Sequence, residues 1–222
     1  PVSLGESKRL SHLDAFAETA ELRLTFPTVA QYHDDAYALD ALGAILADGK
    51  TAPLFTTIVM DAKQSSSVAA YQESGELAGT FTVAVRANPG VDLDAVYASI
   101  EDSMKRFETQ GFRDEDLQRF KAKSETAFYS GFASVLDKAL KLGIYQEFAG
   151  DPSHGLVERA RIREIRKDDV LRVYREYIQG KPAIITSFVP KAQPELMLEG
   201  SKVAAVVEEE IVAGAEKKFD ES

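Results

Sequence analysis

The sequence predicts an α+β fold: an antiparallel sheet with helices packed on one face. Two observations carry the fold class. Short runs alternate apolar and polar residues. Leu22, Leu24 and Phe26 share one face of the first, and Phe81, Val83 and Val85 share one face of a second, with Thr80, Thr82 and Ala84 opposite. One-sided alternation is the mark of an antiparallel sheet covered on a single face. Longer runs carry apolar residues at helical spacing, most clearly Leu93, Val96, Tyr97, Ile100, Met104 and Phe107.

Taken in order, Pro1 to Leu13 has no period, and residues 1–18 read as an N-terminal connector. Glu21 to Phe26 is a strand, expected to end at Pro27 because proline donates no ladder hydrogen bond. Asp34 and Asp35 open a helix, where carboxylates meet the positive end of its dipole. Its body, Ala36 to Ala47, is apolar on most sides and must be buried. Asp48-Gly49 stops it. A shorter helix follows, with Pro53 in its first turn and Leu54, Phe55, Ile58 and Val59 spaced for a shared face. Strands at Ser67–Glu73 and Gly79–Ala87 flank a turn at Gly75, and Asn88-Pro89-Gly90 makes the next turn.

The Leu93 to Phe107 helix takes its cap from Asp92 or Asp94 and ends at Gly111. Asp114 to Ala149 reads as a long helical stretch. Its apolar set includes Leu117, Phe120, Phe128, Leu136, Leu140, Ile144 and Phe148, with breaks expected at Gly131 and Gly143. Helices follow at Leu156–Ile165 and Asp168–Ile178, then a closing strand at Ala183–Val189. The main domain is thus residues 19–190. Residues 191–222, with eight acidic and four basic side chains, read as an acidic linker to a following domain, partly helical at Val203–Val212.

Composition narrows the partners. The chain has 222 residues and a net charge of -10, which argues against nucleic acid, since phosphate binding needs clustered lysine and arginine. There is no pull toward anionic lipid and no apolar run long enough to span a bilayer. There is no cysteine, so disulfides and thiolate metal sites are excluded. Gly49-Lys50-Thr51 imitates the end of a phosphate-binding loop. The upstream glycine is missing, Ala44 standing in its place, and a helix rather than a strand leads into it.

One stretch carries a resemblance. Phe26-Pro27, Asp35-x-Tyr37-Ala38-Leu39-Asp40-x-Leu42, Ile45-Leu46-x-Asp48-Gly49, Leu54-Phe55-x-x-Ile58-Val59 and Ser67-Val68-x-Ala70 are similar to the second half-unit of the pitrilysin/insulinase metallopeptidase family, which includes the mitochondrial processing peptidase. The resemblance extends more weakly to about Pro190. It implies that the chain is a noncatalytic domain forming half of a peptide-degrading chamber, paired with a catalytic metallopeptidase domain on the same or another chain. It also implies an unfolded peptide as substrate and zinc in the partner catalytic domain, none being expected in this segment. A periplasmic setting is compatible with it. The alternative is a structural or assembly subunit derived from such a peptidase, without proteolytic activity.

The family's active unit holds zinc through His-x-x-Glu-His, two imidazoles on one helix face with a glutamate acting on metal-bound water. Here the histidines are His12, His33 and His154, and the residues four beyond them are Phe16, Tyr37 and Glu158. No catalytic or metal-ligating residue is therefore expected. Active relatives also carry an arginine and a tyrosine seven residues apart in the noncatalytic unit. The resemblance places Val59 and Ser66 at those positions, so the substrate-binding residues stay open.

Overall fold

The computed structural model describes residues 3–204. In chain order the elements are β1 (Lys8–Asp14), β2 (Glu21–Thr28), α1 (Asp34–Ala47), a π-helical turn (Phe55–Asp61), β3 (Ser65–Ser74), β4 (Gly79–Ala87), α2 (Leu93–Gln110), α3 (Asp114–Ser130), α4 (Val135–Ala149), α5 (His154–Glu164), α6 (Lys167–Tyr177), β5 (Ile184–Pro190), a short 3-10 turn (Pro194–Leu196) and β6 (Lys202–Val203). One six-stranded sheet runs β3-β4-β2-β5-β1-β6. Its centre is antiparallel, β2 pairing with β4 and with β5, and β3 with β4. At one side β1 joins β5 and β6 in parallel.

The one-sided alternation is realised in the core. Leu22, Phe81, Val83 and Val85 have no exposed surface, and Leu24 and Phe26 are buried beside them. They meet α1, α2 and α6, which pack on β2, β3 and β4. Arg23, Thr25, Ala84 and Arg86 occupy the opposite face. Burying Leu22, Phe81 and their neighbours each contributes about 1.5–3 kcal/mol before conformational entropy is charged against it.

Several expectations shift. The stretch read as a connector, residues 1–18, contains β1, which pairs with β5 from Lys8↔Ile184 to Asp14↔Pro190. Its alternation is hidden because Ser11, with no exposed surface, takes a core position. β2 runs through Pro27 to Thr28. Its pairing with β5 stops at Thr25↔Ile184, so proline lies where β4 is the remaining neighbour and a missing donor is tolerated. The chain breaks after α3 at Gly131, whereas α4 passes through Gly143 without interruption. Arg166 is the N-cap of α6, and its backbone N–H donates to Asp169 at 2.8 Å, so Asp169 serves the helix start. Lys202–Val203 forms a strand in the stretch read as partly helical, and the rest of that stretch, with most of the acidic linker, lies outside the described residues.

Candidate functional site

Among the described residues, strand β3 is one edge of the sheet, with β4 as its single neighbour. Helix α1 lies against it at very close range. A Cβ built on Gly43 would sit 2.6 Å from the carbonyl oxygen of Ala70 and 3.1 Å from the Cα of Tyr71. The missing side chain of Gly43 makes that approach sterically open. Beside β3 opens a cleft of about 400 Å³, bounded by Asp40, Ala44 and Asp48 of α1, Ala70 to Gln72 of β3, Phe120 and Phe128 of α3, Lys141 of α4, and Glu158 and Arg159 of α5.

The cleft is amphipathic. Lys123 pairs with Asp48 at 3.0 Å and Arg159 with Glu125 at 3.8 Å, while the Arg159 guanidinium lies over the rings of Phe128 and Tyr129. Tyr145 is buried against Gly155 and donates its hydroxyl to Glu158 at 2.5 Å. Asp40 keeps surface open to solvent, but desolvation against the cleft wall, with Glu158 nearby, pushes its carboxyl up to about 7. The buried hydroxyl of Tyr37 and Nε2 of His154 have no hydrogen-bond partner in the structure.

The sequence-derived positions fall as follows. Val59 is half-buried on the π-helical turn; Ser66 is exposed at the start of β3, inside a register irregularity between Ser65 and Val68. The run Ser65-Ser66-Ser67 is thus a bulged strand start, with the Ser65 hydroxyl donating to the carbonyl of Arg86. The histidines are on separate elements. His12 lies on β1 with its ring at 6.2 Å from Phe188; His33 caps α1, its Nδ1 accepting from the Asp35 N–H; His154 meets Tyr32 edge-on at 4.5 Å. Tyr145 lies between His154 and Glu158, its ring 6.0 Å from the first and its hydroxyl donating to the second. Among the described residues no group of three or more His, Asp or Glu is placed to hold a metal ion.

One tie was not read from the sequence. Asp35 is buried and accepts from Arg172 at 2.5 Å and from the Tyr177 hydroxyl at 2.8 Å, fastening α1 to α6. Burial alone would raise its pKa, but the hydrogen bonds from Arg172 and Tyr177 outweigh it and hold the carboxyl below the usual range. The signal was spacing: Asp35 precedes Leu39, Leu42 and Leu46 by four, seven and eleven residues, and so shares their buried face.

A sheet with one helical layer and a buried helix against its edge strand define the class, an α+β domain. Residues 4–124, more than half of the chain, match the family described as the Peptidase M16 inactive domain, and the chain belongs to that family. Among curated proteins, the zinc protease PqqE of Helicobacter pylori is 23% identical over 158 residues, which are 70% of this chain and 35% of that protein. Among solved structures, a protease from Helicobacter pylori superposes with a TM-score of 0.71 at 19% identity, covering 82% of this chain and 44% of the other. The inactive peptidase domain of a candidate zinc protease from Bordetella parapertussis gives 0.67 at 22% identity, covering 80% of this chain and 96% of the other. At such identities the structural likeness is one of fold. The chain spans about a third of the curated relative and less than half of the first solved one.

Proposed function

We propose that this inactive M16 domain is the noncatalytic half of a zinc peptidase, walling a peptide chamber opposite a zinc-bearing unit and supporting an extended substrate along β3. The observation that carries the reading is the free edge of β3 beside an aromatic, ion-lined cleft. An extended peptide can add to a sheet edge through backbone hydrogen bonds, with pockets taking alternate side chains. This mode needs no particular side chain, which suits positions where Val59 and Ser66 replace the arginine and tyrosine of active relatives. Zinc would be supplied by the partner domain, and hydrolysis would occur there.

Val59 and Ser66 also favour a second reading, a structural subunit that kept the shape and lost the chemistry. Two experiments separate them. The chain alone should not cleave an unstructured fluorogenic peptide; joined to its zinc-bearing unit it should, and a chelator should abolish the activity. Cleavage by the chain alone, or none by the complete protein, defeats the peptidase reading. A photo-crosslinking amino acid at Tyr71 should capture the substrate peptide during turnover. Capture at a control position on the opposite sheet face, with none at Tyr71, would reject the edge-binding part.

A further inference from the structure

One end of the cleft beside β3 gathers acceptors. Asp40 of α1 and Glu158 of α5 both line it. Among the described residues, the one charged group close enough to bear on Asp40 is Glu158, a second carboxylate. Glu158 itself accepts only a neutral donor, the Tyr145 hydroxyl at 2.5 Å. Nearly one helical turn before Asp40 stands Tyr37, 5% exposed, with a hydroxyl that has no hydrogen-bond partner. Burial, then the neighbouring Glu158, Tyr32 and Asp40, hold that hydroxyl above its ordinary range, so it lies beside both carboxylates. Two carboxylates and a buried, unpartnered hydroxyl make a set of acceptors suited to a cation.

The cleft also carries cations of its own, and none is spent on this end. Arg159 pairs with Glu125 and lies over Phe128 and Tyr129. The Lys121 ammonium donates to the Arg163 carbonyl at 2.8 Å, and Lys141 stands over the Phe132 ring at 5.6 Å. Lys123 takes Asp48, two turns along α1 from Asp40. Arg163, at the end of α5, does not bear on Asp40. A peptide strand added to β3 turns every second side chain toward the helical layer, the side on which Asp40 stands. There Phe128 offers a ring to an aliphatic stem. An ammonium at its tip brings three donors, one each for Asp40, Glu158 and the Tyr37 oxygen.

We propose that this end of the cleft receives a basic side chain of the bound peptide, its cation held between Asp40 and Glu158 with the Tyr37 hydroxyl as third acceptor. The inference rests on the reading of β3 as a peptide-binding edge. The test is fluorescence anisotropy on the complete protein, with chelator present so that no probe is cleaved. The probes are N-acetylated peptides identical but for one central residue: lysine, norleucine or glutamate. At pH 8 the lysine peptide should bind at least about tenfold tighter than the norleucine peptide. That preference should shrink about tenfold at pH 6, because the cation must displace the proton that Asp40 holds below about 7. Asp40→Asn should remove the preference and its pH dependence, and Asp40→Glu should restore them. Equal affinities for lysine and norleucine, or a preference that survives Asp40→Asn, overturn the proposal. So does tighter binding of the glutamate peptide, which would assign the cleft to its lysines. A norleucine peptide with a free N-terminus that matches the lysine peptide overturns it too, since the ammonium would then come from the chain end. Cleavage assayed in parallel without chelator keeps the two ideas apart. An active protein blind to lysine refutes this inference and spares the function; lysine-selective binding by a protein that cleaves nothing does the reverse.

Discussion

Replacing Gly43 by alanine reverses the usual sign of a helix substitution. In an open helix interior, glycine to alanine stabilises by up to about 1 kcal/mol. At Gly43 the added Cβ would lie 2.6 Å from the Ala70 oxygen and 3.1 Å from both the Ala70 carbonyl carbon and the Tyr71 Cα. All three are backbone atoms, so no side chain can rotate away, and α1 or β3 must retreat. Such overpacking costs about 1–3 kcal/mol. Set against the helical gain, the net loss is about 1–2 kcal/mol. Gly143 on α4 is the internal control, because nothing lies within 4 Å of its Cβ position; alanine there should stabilise by about 0.5–1 kcal/mol. Urea denaturation measures both. With a slope of about 2 kcal/mol/M, the midpoint should fall by about 0.5–1 M for Gly43→Ala and rise for Gly143→Ala. If both midpoints rise alike, α1 does not lie against the β3 backbone as described, and the account of the cleft fails with it.

Asp35→Ala should destabilise by about 2 kcal/mol, less than a fully buried pair because Arg172 is half-exposed. The Asp35 pKa is lowered in the folded state, so its contribution is present above the ordinary value of 3.8 and fades as pH falls below it; the melting temperatures of wild type and variant should draw together as pH falls below 3.8. Asp40 behaves oppositely. The folded state keeps a proton that the unfolded state releases, so stability should decline between pH 3.8 and about 7. Asp40→Asn should therefore melt higher than wild type at pH 8, by about 1 kcal/mol after screening through the open cleft, and match it at pH 4. Equal melting temperatures at both pH values would contradict this.

Most of the architecture was legible because its strands and helices bury residues at their own periods. Leu22, Leu24, Phe81 and Val83 announce the sheet; Leu93 to Phe107 announces α2. β1 escaped because a serine occupies its core position, and an alternation test weighs side chains without seeing the strand that β5 provides. α4 was only partly legible, for a different reason. Its apolar set marked a helix without saying which side packs, and within this domain Tyr145 is the one residue of α4 that is buried. The site was harder to read than the fold. Backbone edges carry no sequence signature, and Asp35, Arg172 and Tyr177 are brought together across a separation of 137 to 142 residues.

The parallel pairing of β1 with β5 also has a kinetic consequence. Ser7 bonds to the backbone of Ala183, 176 positions later, and the neighbouring strands zip together from that point. Closing so long a loop slows folding and delays it until the distant strand exists. During synthesis β1 must therefore wait for its β5 partner until the chain through Pro190 has left the ribosome. Truncations before Ile184 should yield chains that hold helices but never complete the sheet, and such chains are the ones a cell would have to shelter from aggregation.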